Sequence, residues 1–203
     1  MSKFVICEGP DNVGKTTQID LIVKNLDTHV FHKLHYSSLP FKDDKEKHAN
    51  YSKDLYETMF QLMMKSKLAK QKGDLDINFI FDRSHLGETV YSPLYRGYSG
   101  DYVFDIESKY TTALREDLYL ITLVNNPHTI LKRDDGKSFY RNEEEVEAEV
   151  GGFRRAHRKS SIKNKLLLNI GTMSAIDVSK IISEFLGHEN TITGNDKQLN
   201  LFE

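Results

Sequence analysis

The sequence predicts an α/β protein with three layers, a five-stranded parallel sheet held between two layers of helices. Three observations carry this. Apolar strand-like runs alternate with segments of helical period along most of the chain. The runs "INFIFD" and "LYLITLV" are apolar almost without a break, as expected of strands covered on both faces. A glycine-rich turn joins the first strand to the first helix, at the strand edge where ligands bind in such sheets.

The elements follow in order. "KFVICE" is a β-branched and aromatic run and opens the sheet. "TQIDLIVKNL" places Ile19, Ile22, Val23 and Leu26 at helical spacing. "KLHYSS" reads as a second strand closed by Pro40, because the residue before a proline avoids the helical region. "FKDDKEKHANYS" is polar and reads as irregular chain or a short helix. A longer helix is expected from Lys53 to Gln71, with Leu55, Met59, Leu62, Met63 and Leu68 as its apolar positions. "INFIFD" is the third strand, and Val103 to Leu114 the next helix. "LYLITLV" is the fourth strand, and Pro127 suits the first turn of a helix after it. "KLLLNI" is the fifth strand, followed by a closing helix through Ile181, Ile182, Phe185 and Leu186. The polar, turn-rich stretch 189–203 reads as a tail, leaving 1–188 as one domain.

The chain has 203 residues, enough for one sizeable core, and a net charge of -2. That balance argues against a sequence-blind nucleic-acid binder, which carries a basic excess. No apolar run reaches the ~18 residues of a membrane span. The N-terminus shows no signal-peptide pattern. Cys7 is the only cysteine, so neither an internal disulfide nor a cysteine metal cluster can form. A cytoplasmic location is the expectation.

"CEGPDNVGKTT" carries the chemistry. Gly9, Gly14, Lys15 and Thr16 fit G-x-x-x-x-G-K-[ST]. The amides of such a turn point inward and form an anion nest at a helix N-terminus. Lys15 is expected to reach the β- and γ-phosphates, and the Thr16 hydroxyl to hold Mg²⁺. At average residue usage a chance match in a chain this long has a probability of roughly one percent. GTPases add a guanine-reading N-K-x-D, and large ATP-driven motors an acidic pair after the third strand; neither is present. The third strand instead ends in Asp82 and Arg83. A carboxylate there can hold Mg²⁺, and a guanidinium fork suits a phosphate. Together they imply a second substrate bearing a phosphate or a hydroxyl.

With the loop "CEGPDNVGKTTQ", the element "FDRS" and the segment "NNPHTILKR", the chain resembles the thymidylate kinase-like group of P-loop nucleoside monophosphate kinases. The resemblance spans residues 3 to 187, and "DRSHLGETVYSPLYRG" looks more like virus-encoded members, in which case the location is the host cytoplasm. It implies a P-loop kinase fold with a mobile lid, ATP as phosphoryl donor, Mg²⁺, and most directly dTMP as acceptor. Gly9, Asn12, Val13, Gly14, Lys15, Thr16 and Thr17 would hold the ATP phosphates, with Arg133 also on the ATP side. Asp11 would touch the acceptor sugar or order the metal. Arg83 would clamp the acceptor phosphate, and Thr16 and Asp82 would serve Mg²⁺. A homodimer is implied as well.

Members of that group carry a catalytic arginine in the loop or on the lid. The loop position here is Asn12, so the cation is expected from the lid, 134–158, with Arg141 favoured among Arg133, Lys137, Arg141, Arg154, Arg155 and Arg158. Asn142 with Glu145 three residues on has capping-box spacing. The group stacks the acceptor base on a phenylalanine. Phe60 or Tyr56 stands there, a core role for Phe60 being the alternative, and no arginine is nearby. Tyr36, Pro40, His85, Glu88, Tyr91 and Arg96 are further candidates for the acceptor pocket, with a structural role preferred for His85.

The end of the chain, "QLNLFE", resembles the short peptide with which bacterial replication proteins dock on the sliding clamp, through Gln198, Leu199, Leu201 and Phe202. Internal packing of those apolar residues is the alternative. Two other functions stand beside the leading one. A deoxynucleoside kinase would need a carboxylate base after the second strand, and "LHYSSLPF" has none. A non-catalytic nucleotide sensor attached to a clamp would not need Lys15, Thr16 and Asp82 together.

Overall fold

A computed structural model of the chain describes residues 3–25, 31–35, 44–73 and 77–187. Tyr36, Pro40 and the tail peptide Gln198–Phe202 lie outside the described residues.

Among those residues, five strands form one parallel sheet: β1 (Phe4–Glu8), β2 (Phe31–His35), β3 (Asn78–Asp82), β4 (Leu118–Val124) and β5 (Asn164–Asn169), in the order β2-β3-β1-β4-β5. Val5 pairs with Ile80 on one side and Tyr119 on the other, which puts β1 in the centre. β1 and β3 are buried along their whole length, and β4 nearly so, which is why they read as unbroken apolar runs. The edge strand β2 is mostly exposed and correspondingly polar. The chain leaves β1 toward β2 and β3 on one side and later fills β4 and β5 on the other. The carboxyl end of β1 is therefore the point where strand order reverses, and a crevice opens there.

Among the described residues seven α-helices flank the sheet, six between strands and one after β5: α1 (Lys15–Asn25), α2 (Lys45–Gln71), α3 (His85–Tyr91), α4 (Tyr102–Thr111), α5 (Pro127–Leu131), α6 (Glu143–Lys159) and α7 (Ala175–Phe185). Pro127 stands in the first turn of α5, as its fixed φ favours. Asn142 caps α6, accepting from the Glu145 amide at 2.9 Å. The return bond from Glu145 goes one residue further out, to the Arg141 amide at 2.7 Å.

Three differences from the sequence reading have physical causes. First, α2 begins at Lys45 rather than Lys53. Asp44 caps it by accepting from the Lys47 amide at 3.0 Å, and a largely solvated helix start needs no apolar period. Second, Leu62 and Leu68 lie on the outer face of α2, 37% and 49% exposed, while Met59 and Met63 enter the core. Third, α3 runs directly into a π-helical turn, Ser92–Arg96. Gly97, in the left-handed region, closes that turn with its amide 2.8 Å from the Ser92 carbonyl. A proline and a glycine four residues apart, Pro93 and Gly97, conceal this element in the sequence.

The stretch 134–158 named for the lid has two characters. Residues 134–142 are irregular. From Glu143 the chain is helix, and Val146, Phe153 and Ala156 belong to the hydrophobic core. Gly152 permits close approach to α3, since a Cβ there would stand 2.8 Å from Val90 Cγ1.

Candidate active site

The turn after β1 crosses the carboxyl edge of the sheet tightly. Gly9 has φ 141°, and a Cβ on it would stand 2.2 Å from the Leu123 carbonyl oxygen of β4. Only glycine fits that approach. Gly14, at φ 102°, turns the chain into α1. Asn12 is left-handed at φ 60°, a region asparagine tolerates.

Lys15 is buried at the start of α1. Its Nζ donates to the loop's own carbonyls, Gly9 at 2.8 Å and Pro10 at 2.6 Å, and stands 3.9 Å from Asp11 Oδ1. Burial lowers its pKa, and the Asp11 charge opposes that shift. Such a group gains by meeting an anion, which restores the environment its charge prefers.

Asp82 closes β3 opposite the turn and is buried. Its Oδ2 accepts from Thr16 Oγ1 at 3.2 Å and lies 3.0 Å from His35 Nδ1. Its Oδ1 has no hydrogen-bond partner. A buried carboxylate oxygen without a partner, next to a threonine hydroxyl, fits a hard cation that takes most of its ligands from phosphate and water. Among the described residues no cluster of three or more His, Cys, Asp or Glu forms a dedicated metal cage. Thr16 and Asp82 would thus hold Mg²⁺ as part of a nucleotide complex.

Arg83 follows in the left-handed region at φ 71°, a conformation that costs energy for a long side chain. Its amide is fixed by the Cys7 carbonyl at 3.0 Å. Its Nη2 lies 2.6 Å from Asp11 Oδ1, and its Nε is buried without a partner.

These groups share one cavity of about 590 Å³. Asp11, Asn12, Gly14, Lys15, Thr16 and Thr17 form one wall, and Asp82 and Arg83 another. Arg133, Asp135, Lys137, Ser138 and Phe139 line the rest. The structure thus brings together most of the residues the loop and the Asp-Arg element predicted.

It does not bring in others. Phe60 is 0% exposed, stacked on Tyr110 at 5.4 Å and edge-on to His85 at 5.1 Å. It has no free face for a base, and its role is in the core. Arg141 is exposed and does not line the cavity; the basic side chains from this part of the chain that do are Arg133 and Lys137. Arg96 is engaged by Glu88, Nη1 to Oε2 at 2.8 Å, in a buried network that Tyr98 and Tyr102 complete on Glu88 Oε1 at 2.6 and 2.9 Å. His85 is buried between Ser84 and Glu107, at 2.8 and 2.7 Å, as a structural histidine.

Two buried carboxylates stand behind the cavity wall, close enough to feel the charges of its residues. Glu8, at the end of β1, caps α3 by accepting from the Leu86 and Gly87 amides at 3.0 and 3.3 Å. Glu149 of α6 is 1% exposed; its Oε1 accepts from Tyr95 Oη at 2.7 Å, and its Oε2 has no partner. Burial raises the Glu149 pKa to about 7, with the Asp11 charge adding to the rise and the Tyr95 hydrogen bond opposing it. Tyr91 Oη is buried and unpartnered in the same electrostatic neighbourhood as Asp11, Glu149 and Arg83. Unsatisfied buried polar atoms are rare in folded proteins, and several around one cavity point to a polar ligand.

The central β1, the turn that follows it and the Asp-Arg pair closing β3 give the chain the fold of the P-loop nucleotide kinases. Among solved structures it is similar to the YorR protein of Bacillus subtilis, determined in complex with phosphorylated GDP: TM-score 0.62, 19% identity, covering 91% of this chain and 96% of that one. It is also similar to thymidylate kinase from Candida albicans, with TM-score 0.53 and 14% identity over 92% of this chain and 91% of that one. No protein-family model matches the chain, and neither does any curated protein. Among the described residues no helix is long and apolar enough to cross a membrane.

Proposed function

We propose that the protein transfers the γ-phosphoryl group of ATP to a deoxynucleoside monophosphate, with dTMP the first candidate acceptor. One observation carries this reading. The glycine-rich turn with Lys15 and Thr16, and the Asp82–Arg83 element, face a single cavity that Arg133 and Lys137 also line. That cavity has cationic groups for two phosphorylated substrates and a carboxylate–hydroxyl pair suited to Mg²⁺.

In this reading the loop amides and Lys15 hold the donor phosphates, and Lys15 exchanges its bonds to the Gly9 and Pro10 carbonyls for phosphate oxygens. Arg83 holds the acceptor phosphate and shares its fork with Asp11. Arg133 and Lys137 stabilise charge on the transferring group. Bound Mg²⁺ would neutralise phosphate charge at Thr16 and Asp82. An acceptor phosphate oxygen is the nucleophile, so the protein supplies position and charge rather than a covalent partner. The irregular stretch 134–142 is the part of the proposed lid that can exclude water by closing.

The experiment incubates pure protein with ATP, Mg²⁺ and, separately, each nucleoside and each monophosphate, and follows ADP. The panel includes dGMP as well as dTMP. One structural neighbour was determined with a phosphorylated guanine nucleotide, and the other is described as having broad substrate specificity. Turnover with monophosphates alone supports the proposal. Turnover with nucleosides moves the protein to the deoxynucleoside kinases. No turnover with any acceptor leaves a nucleotide-binding protein. Docking of the C-terminal peptide on a sliding clamp is proposed from the sequence "QLNLF" alone, and loses its support if deleting Gln198–Glu203 leaves clamp binding unchanged.

A further inference from the structure

Asn12 does more than line the phosphate turn. Its Nδ2 lies 2.9 Å from Tyr140 Oη, 3.0 Å from Ser138 Oγ and 3.2 Å from Asp134 Oδ1. All three acceptors belong to the irregular stretch 134–142, more than a hundred residues away in sequence. An amide nitrogen carries two hydrogens, so at most two of these three are strongly bonded at once, and the group can trade between them.

The stretch is otherwise sparingly held. Asp134 and Asp135 fold back on the amides of Gly136 and Lys137, at 3.2 and 3.1 Å, which shapes a local turn but ties it to nothing. Gly136 is left-handed at φ 78°. The stretch is anchored to the body through the buried Tyr140, whose hydroxyl also reaches the Asp11 carbonyl at 3.5 Å, and through Phe139, stacked on Tyr95 at 5.2 Å and tilted against Tyr91 at 5.9 Å. Arg133 stands just before this stretch, and Lys137, Ser138 and Phe139 lie within it on the cavity wall. The Asn12 amide therefore spans from the turn that would hold the donor to the segment that presents the cations.

We propose that Asn12 is a positioning residue that latches residues 134–140 onto the phosphate turn and so places Arg133 and Lys137 over the transferring phosphate. The inference rests on the phosphoryl-transfer reading above. Its physical basis is that charge stabilisation in such a reaction depends on placement within about an ångström. Asn12 also neighbours Asp11, which pairs with Arg83. One short turn thus touches the acceptor clamp through Asp11 and the cation-bearing segment through Asn12.

The test uses variants that leave the turn's backbone intact. Asn12→Gly keeps the left-handed conformation and deletes the amide. Asn12→Asp sets a carboxylate against Asp134, and adding Asp134→Asn restores a donor–acceptor pair with the roles exchanged. Two readouts are taken. Amide hydrogen exchange over 134–142 is measured by mass spectrometry on nucleotide-free full-length protein, and kcat and KM with ATP and the best acceptor are measured separately. Both single variants are expected to speed exchange and to lower kcat about tenfold, with acceptor KM little changed. The double variant Asn12→Asp/Asp134→Asn is expected to recover most of the exchange protection, while kcat stays low because the carboxylate at position 12 faces the donor phosphates. The latch is overturned if Asn12→Gly leaves exchange over 134–142 at the wild-type rate, or if Asp134→Asn fails to restore exchange protection to Asn12→Asp. If the wild-type protein transfers no phosphate at all, the phosphoryl-transfer reading falls, and the exchange measurement decides the latch by itself.

Discussion

Arg83 Nη2 lies 2.6 Å from Asp11 Oδ1, joining the end of β3 to the phosphate turn across the mouth of the cavity. The pair holds an arginine in a left-handed conformation with its Nε buried and unpartnered. Strain of this kind persists where a site is prepared for a ligand. In the proposed reaction an acceptor phosphate would take the free Nε while the pair with Asp11 stays in place.

Arg83→Lys tests that relationship. Lysine keeps the charge but loses the planar fork and the Nε donor. Acceptor KM is expected to rise about tenfold to a hundredfold, while KM for ATP changes little. Steady-state kinetics with each substrate varied in turn decide. An equal rise in both KM values would remove Arg83 from the acceptor side.

Asp82→Asn tests the metal assignment. The amide preserves shape and the bond to Thr16, but removes the charge from the unpartnered Oδ1 position. Initial rates titrated with Mg²⁺ are expected to show a half-saturating concentration raised about tenfold or more. An unchanged Mg²⁺ dependence would place the ion elsewhere.

Glu149 makes stability depend on pH in a defined window. Its pKa is raised from 4.5 to about 7 in the folded chain, mainly by burial. Between those values the unfolded chain is ionised while the folded chain keeps its proton. Stability contributed by this group therefore falls as pH rises from about 4.5 to about 7 and levels off above. Glu149→Gln removes that dependence. Relative to wild type, the variant is expected to gain on going from about pH 5 to about pH 8, by at most about 3 kcal/mol. Urea denaturation at both pH values measures it. A constant difference would show that Glu149 titrates normally.

Gly9→Ala tests the close crossing of the turn over β4. The added Cβ would stand 2.2 Å from the Leu123 carbonyl oxygen, at a φ of 141° that side chains avoid. The variant is expected to lose about 2 kcal/mol or more and to bind an ATP analogue poorly. Chemical denaturation and nucleotide titration provide the readouts. A wild-type midpoint with wild-type binding would mean the turn does not need this contact.

Much of this molecule was legible from local chemistry. β1, β3 and β4 announce themselves because both faces are covered, so burial writes a continuous apolar run. The phosphate turn is legible because Gly9, Gly14, Lys15 and Thr16 are close in sequence, and one backbone conformation brings them together. Asp82 and Arg83 are legible because a parallel sheet delivers the end of β3 to the same edge as the end of β1.

The rest depends on which distant surfaces meet. Phe60 has helical spacing compatible with a pocket or a core, and the Tyr110 ring of α4 makes it core. Glu149 lies in the acidic first half of an amphipathic helix, and only the packing of α6 against α3 and the π-helical turn after it buries Glu149 beside Tyr95. Arg141 and Lys137 are both basic residues of one irregular stretch, yet only Lys137 reaches the cavity. Asn12 shows the division within a single residue. Its place in the turn is set by four or five neighbours in the chain. Its partners Asp134, Ser138 and Tyr140 are brought to it by the folding of β4, α5 and α6 around β1, because long-range contacts arise from the burial of whole faces and no local pattern encodes them.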